Sequence, residues 1–529
     1  MKDAYSHKVV INADSDLLWY IYESNKGSAK NFEAALKEYV KGYANQGVSD
    51  LMFCCFAQMS VYPSKSWDWF GNKYYQQIEN GIEVNYTKLH RIKHIVDIYH
   101  ETTRDPYEIL LDETRKNDMI PWISIRMNDC HFNHCATSWM HGDIYYQALN
   151  KGWTIGEEVA GRHYAEAFNY AIDEIRNKML DYICETLDRY DMDGLELDFQ
   201  REFHCFNYIK DPDCYKIMTD FMQKIRVYAN SKEKERGHRI KIGVRLCRNI
   251  EDNKVFGFDI VEWIKQGLID VVVPTSRWEN TDSDIPIAKW RELLRGTEIK
   301  LWAGLETLLF CPYKNTEETI KGFVVQYLEA GADQIYLYNF FRTRAYQKSL
   351  SLEELATAKV DEEYTWEMVS DNQEEFLQKC WHICADINLA RKDVRRHVMT
   401  FQEDSMVPRG ASRFKPFPAQ VEGEKYFTMQ TGKCYGQKGI LYIGVEDDRL
   451  PSEIAVDDSL ALYLGEAEDC YMNYPVMQCC GANWMTGYVI TQGAKYHAYE
   501  FIAGNGHERV ISVKGKCGLR YLEIKLCTS

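Results

Sequence analysis

Tyr190-Asp191-Met192-Asp193-Gly194-Leu195-Glu196-Leu197-Asp198-Phe199, followed by Gln200, Arg201 and Glu202, is the stretch on which the fold turns. It reads as a buried strand that ends in acid. Side chains alternate faces along a strand, so Leu195, Leu197 and Phe199 share one face while Glu196 and Asp198 share the other. Carboxylates on one face of an otherwise apolar strand are costly to bury without a partner or a task. In a (β/α)8 barrel the task is chemistry, because reacting groups cluster at the C-terminal ends of the strands. The competing reading is a structural ion pair inside the barrel.

Outward from this strand, short apolar runs alternate with helical patterns from residue 9 to about 345, the signature of a parallel α/β sheet. The candidate strands are Val9–Ile11, Asp50–Phe56, Ile120–Met127, Gly194–Phe199, Ile240–Leu246, Ile269–Pro274, Ile299–Leu305 and Gln334–Tyr338. Ala165–Tyr190 is the clearest helix, with Ile172, Ile175, Met179, Ile183 and Leu187 at helical spacing. Glu317–Gly331 ends in a glycine suited to a C-cap. Long connections at 57–89 and 128–161 are rich in Trp, Tyr, His and Asn and are expected to overhang the mouth. Residues 1–348 are thus expected to form the barrel. Residues 349–398 read as a charged helical bridge, and 399–529 as an all-β sandwich of short alternating strands.

At 529 residues the chain exceeds one ordinary core, which agrees with this division. The net charge of -16 argues against nucleic acid or an anionic membrane as partner. No secretory leader and no membrane-spanning run is visible. The 17 Cys are scattered without regular spacing, which suits reduced thiols in a cytoplasmic protein. No glycine-rich phosphate loop occurs, so no cofactor is expected. Cys130-His131-Phe132-Asn133-His134-Cys135 with His141 invites a zinc reading, but the spacing fits no familiar site and no metal is expected.

The strand ends carry the polar groups. Arg126 lies on the third strand with Asn128 and Asp129 just beyond it, Gln200 and Arg201 follow the fourth, and Arg245 lies on the fifth. Trp278 follows the sixth, Trp302 lies on the seventh with Glu306 at its end, and Tyr338 and Asn339 end the eighth. Glycoside hydrolysis needs two carboxyl groups flanking one bond, one to protonate the leaving oxygen and one to attack or activate water. Asp198 as nucleophile or base and Glu306 as general acid, on opposite sides of the mouth, meet that need. Those roles are also open to exchange, and Glu196 is a third candidate. Arg126 and Arg245 are expected either to balance Glu196 or Asp198, or to bind a substrate carboxylate or sulfate. Trp278, Trp302 and Tyr338 are candidate platforms for a sugar face; Trp139 and Trp153 are less central.

The motifs Ile123-Ser124-Ile125-Arg126-Met127-Asn128-Asp129-Cys130-His131, Phe168-Asn169-Tyr170-Ala171 and Asp193-Gly194-Leu195-Glu196-Leu197-Asp198-Phe199 resemble those of a bacterial family of glycoside-hydrolase-like TIM barrels. Its members are labelled family-10-like glycosyl hydrolases. The likeness spans roughly residues 120 to 345 and continues through Gly257-Phe258-Asp259. It implies that Glu196 and Asp198 fall on an acidic fourth strand, with Arg126, Asn128 and Asp129 on the third-strand motif. Phe203 stands where relatives carry a proline, so the fourth loop departs from the pattern.

The reading that follows is a glycoside hydrolase acting on a small oligosaccharide or glycoside, acidic substrates included. Two alternatives stand beside it: a lyase or other barrel enzyme acting on a sugar acid, and a non-catalytic carbohydrate-binding protein. The C-terminal domain is open to sugar binding, site closure or assembly into a homo-oligomer.

Overall fold

In the computed structural model the described residues are 5–25, 31–79, 86–131, 133, 140–159, 162–275, 285–306, 316–338, 371–399, 417–434, 436–446, 449–470 and 494–527. The expected site residues Trp278 and Asn339 lie outside them, as do Trp139, His134 and Cys135. Glu306 is described in its backbone only.

Eight parallel strands close into a ring: β1 (Val9–Ala13), β2 (Val48–Ala57), β3 (Ile120–Arg126), β4 (Gly194–Asp198), β5 (Lys241–Cys247), β6 (Val271–Thr275), β7 (Lys300–Glu306) and β8 (Gln334–Tyr338). Each pairs with the next, and β1 pairs with both β2 and β8, which shuts the barrel. All the expected strands are present. Helices pack outside, and Asp173–Arg189 turns Ile175, Met179, Ile183 and Leu187 onto the sheet. That helix starts later than its apolar spacing suggests. Asn128 holds Phe168 through both backbone groups, so the preceding segment is fixed as an extended anchor instead.

The long connections are not bare loops. The 57–89 segment contains helix Phe70–Glu79 and the start of Tyr86–Glu101, and 128–161 contains Asp143–Lys151. Their aromatic residues supply the apolar faces that make them fold.

The barrel interior is filled by Val10, Met52, Trp122, Val271, Val273, Trp302, Tyr336 and Tyr338. Two bulky indoles need small neighbours. A Cβ on Gly194 would lie 2.2 Å from the Trp122 ring, and one on Gly304 would lie 1.7 Å from Cγ2 of Thr275. The glycines are therefore space-makers, Gly194 for the Trp122 indole of β3 and Gly304 for Thr275 of β6.

The helix Asp371–Ala385 does not merely bridge domains. Leu377, Cys380, Trp381 and Cys384 lie on one face and are buried in the barrel's outer core. The C-terminal sheet begins at Val394, ahead of the expected boundary at residue 399. Its strands are β9 (Val394–Met399), β10 (Ala419–Gln430), β11 (Lys438–Val445), β12 (Glu453–Val456), β13 (Ser459–Leu460), β14 (Leu462–Glu466), β15 (Lys495–Ile502) and β16 (Glu508–Cys527). All pairings are antiparallel, and β16 pairs with β9, β10, β11 and β12. The sheet leans on the barrel helix Glu317–Glu329 through β9. There a Cβ on Gly322 would lie 2.0 Å from the Arg396 carbonyl oxygen, so the close approach requires glycine. Arg391 clamps Glu329 at 2.6 Å across the same contact.

Gly194→Ala should test the interior packing. Overfilling against Trp122 is expected to cost about 1–3 kcal/mol, read as a lower midpoint in urea. An unchanged midpoint would mean that the indole can shift freely.

Candidate active site

The pleat of β4 stacks its acids in two storeys. Glu196 is on the lower one and fully buried. Its Oε2 accepts from Asn12 Nδ2 at 2.7 Å and Ser124 Oγ at 2.6 Å, and its Oε1 from the Tyr336 hydroxyl at 2.7 Å. Burial first, and the neighbouring Asp198 second, push its carboxyl up to about 7. Both oxygens are thus held, by donors from β1, β3 and β8.

Asp198 is on the upper storey, 1 % exposed. Arg245 of β5 faces it in register and donates twice, Nε to Oδ1 and Nη2 to Oδ2, both at 2.8 Å. Backbone N–H groups of Gln200 and Arg201 also donate to Oδ1, at 2.9 and 3.0 Å, and so bend the chain as it leaves the strand. The Arg245 guanidinium lies 3.5 Å over the Tyr338 ring, which fixes its plane. Of the two arginines expected to balance the acidic strand, Arg245 does so. Arg126 turns instead to Asp14 and to Asp129, the latter at 3.1 Å.

A second network lies beside the first. Asp129 Oδ1 accepts from the backbone N–H of His131 at 2.9 Å and faces Nδ1 of the His131 ring. His131 Nε2 faces Arg201 Nη2, and Arg201 Nη1 donates to the Tyr338 hydroxyl at 3.0 Å. Arginine has only donors, so this contact suits an accepting Nε2 and a proton on Nδ1, toward Asp129. Burial and Arg201 lower the His131 pKa, in agreement with that assignment. Against the upward push of burial, His131, Arg126 and Arg201 hold the Asp129 carboxyl well below the usual range. The His131 side chain is 27 % exposed and is the member of this network that meets solvent.

The expected residues therefore divide. Asp198, Arg245, Arg201, Arg126, Asp129 and Tyr338 come together at the C-terminal end of the barrel. Gln200 stands directly above Asp198, buried, with neither side-chain polar atom bonded. Asn128 serves the scaffold, donating to the carbonyls of Phe168 and His204. Trp302 sits low in the barrel, crossed against Trp122 at 5.4 Å, because it is near the start of β7 rather than its end. Trp153 is a surface partner of Lys151. Glu306 ends β7 in register with Tyr338. Asn12, Asp14, Ser124, Thr275 and Tyr336 join the site without having been singled out, and the ring of His131, considered above only as a zinc ligand, joins it as a partner of Asp129. Polar residues on the inward phase of β1, at Asn12 next to Val10, were the signal available for the first of these.

Together these features define a (β/α)8-barrel protein with a paired, partly titratable acidic strand beneath its mouth. No family model matches the chain. No curated protein matches it either. Among solved structures, it is similar to an endo-β-1,4-mannanase from Thermotoga petrophila at 10% identity and TM-score 0.41, over 99% of this chain and 98% of that one. It is also similar to a cycloisomaltooligosaccharide glucanotransferase from Paenibacillus sp. at 8% identity and TM-score 0.32, over 98% of this chain and 57% of that one. A chitinase from Paenibacillus sp. matches at 8% identity and TM-score 0.41, over 97% of this chain and 56% of that one. The chain thus spans little more than half the length of the glucanotransferase and the chitinase.

The raised Glu196 carboxyl has a thermodynamic consequence. The folded state holds its proton up to about 7, whereas an unfolded carboxyl releases it near 4.5, so stability is lost as pH rises through that window. Glu196→Gln should remove the loss. Relative to wild type, the variant is expected to gain on the order of 3 kcal/mol between pH 4 and pH 8, measured by urea unfolding at each pH. Parallel stability curves would show that Glu196 is ionised throughout.

Proposed function

We propose that this protein is a glycoside hydrolase whose reacting groups sit at the C-terminal mouth of the barrel and whose substrate is a neutral sugar. The observation that carries the reading is Asp198, a carboxylate held in fixed bidentate geometry at the end of β4. Glu306 ends β7, across the ring, in phase with the inward-facing Trp302. In this reading Glu306 gives a proton to the leaving oxygen, and Asp198 attacks the anomeric carbon or takes the proton of the attacking water. Net, one water is added across one glycosidic bond. Arg245 orients Asp198, and Glu196 with its three donors is a positioning residue that keeps β4 in register below it.

Two features support a neutral substrate over a sugar acid. Arg126 is matched by Asp14 and Asp129, Arg245 by Asp198, and Arg201 is drawn to Asp129 at 3.8 Å, so these cations already have counter-charges. Meanwhile Gln200 Nε2 and Oε1, Thr275 Oγ1 and Arg245 Nη1 are buried without partners among the described residues. By register, Thr275 stands one pleat above Arg245, and Gln200 lies in the turn that Asp198 holds beyond β4. Donors and acceptors left open together match hydroxyl groups, which both give and accept hydrogen bonds. One observation favours a second reading: the His131 imidazole, oriented by Asp129 and 27 % exposed, would supply a base of the kind an elimination requires once a substrate draws Arg201 away from its Nε2.

A screen of aryl glycosides and uronate oligosaccharides, read by product mass, separates the two. Hydrolysis releases the sugar with water added, whereas elimination gives an unsaturated product with no water. Glu306→Gln is expected to lower kcat about a thousandfold with an unchanged melting temperature. Asp198→Asn should lower it comparably, and should also destabilise the fold by about 3–5 kcal/mol, because Arg245 would be left buried without its counter-charge. Wild-type turnover in either variant would remove that carboxylate from the reaction.

A further inference from the structure

The opposite end of the barrel holds a cavity of about 500 Å³, open to solvent at the N-terminal ends of the strands. Barrel interiors are ordinarily filled, and this face ordinarily serves stability. Here the filling stops at Trp302, whose indole floors the cavity.

The lining charges are unevenly committed. Asp270 accepts from Arg239 at 2.8 Å and from the backbone N–H of Ile242 at 2.8 Å, and it also pairs with Arg226. Asp333 accepts from Arg291 and from the backbone N–H of Leu301, both at 2.7 Å. Asp50 is buried and accepts from Trp122 Nε1 at 2.8 Å and Ser49 Oγ at 2.6 Å. These carboxylates are consumed by the scaffold. Lys241 and Lys300 line the same cavity and form no salt bridge among the described residues, although Lys241 is near enough to Asp50 to act on it electrostatically. The indole Nε1–H of Trp302 is a buried donor with no acceptor among the described residues, in a side chain that is 2 % exposed. A buried donor without a partner costs about 1–3 kcal/mol. Glu298, on the exposed rim, is the opposing charge.

We infer that this basal cavity is a binding site for a small oxyanion, a phosphate or carboxylate group, held by the ammonium groups of Lys241 and Lys300 and by the Trp302 N–H. Glu298 on the rim apart, the groups left uncommitted by the scaffold are donors, and two of the three are cationic. A ligand that only accepts, and carries negative charge, matches the chemistry of all three. A sugar hydroxyl would leave its own proton facing ammonium groups. The site is separate from the mouth, where Asp198 and its partners lie at the other ends of the strands, and it stands or falls independently of the hydrolase reading.

The test is titration calorimetry on the full chain at low ionic strength, with inorganic phosphate in one arm and succinate in the other and potassium chloride as control. At least one oxyanion is expected to bind saturably while chloride does not. Phosphate alone binding identifies a phosphate site, succinate alone a carboxylate site, and both a general oxyanion site. Lys300→Met and Lys241→Met should each weaken binding about tenfold, and Trp302→Phe, which keeps the ring and removes the N–H, about fivefold. Glu298→Gln should tighten it severalfold, since it removes a like charge. Lys300 and Glu298 are exposed, so those variants are expected to fold as wild type, with melting temperature as the check. Absence of binding by both oxyanions, or affinities unmoved by the Lys300 and Glu298 substitutions, overturns the site.

Discussion

The two-point contact between Arg245 and Asp198 is the constraint from which the upper half of the barrel follows. Both partners are almost wholly removed from water, so neither tolerates loss of the other. The contact locks adjacent strands in register, and Tyr338 holds the guanidinium plane from a third strand. Asp198 in turn captures two backbone N–H groups beyond its strand, so the turn that presents Gln200 and Arg201 is set by the same carboxylate. Below it, Glu196 spends its oxygens on three other strands. The acidic strand is thus the hub through which β1, β3, β5 and β8 are tied to one another inside the ring.

Much of this architecture was legible in the chain. The strands announced themselves as short β-branched runs, because a parallel sheet covered by helices buries both faces. The alternation in Leu195-Glu196-Leu197-Asp198 placed both acids inward, where they are found. Less legible was how the charges would be shared. Arg126 and Arg245 have equivalent positions on flanking strands, yet only Arg245 reaches the acidic strand. Arg126 is taken by Asp14 and Asp129, and which carboxylate wins depends on three-dimensional reach that spacing does not encode. Trp302 shows the same limit in another form. Its strand was identified, but its height in the barrel, and so the end it serves, depended on where β7 begins.

The helix Asp371–Ala385 marks a further boundary of what pattern reveals. Its charge density suggested a solvated connector. Its buried face is narrow but continuous, and the barrel's outer shell is completed by Trp381 packed 4.8 Å from Tyr43. Composition averages over both faces of a helix, and packing selects one of them.

The long strand Glu508–Cys527 carries one more consequence. Val394–Met399, Ala419–Gln430, Lys438–Val445 and Glu453–Val456 all find their ladder on it, and all of them precede it in the chain. During synthesis these segments emerge with apolar faces and open hydrogen-bonding edges well before their common template exists. The C-terminal sheet must therefore assemble late and through distant contacts, while the barrel ahead of it is already free to close. A nascent chain of this protein passes through an interval in which a finished ring trails an unpaired, association-prone set of strands.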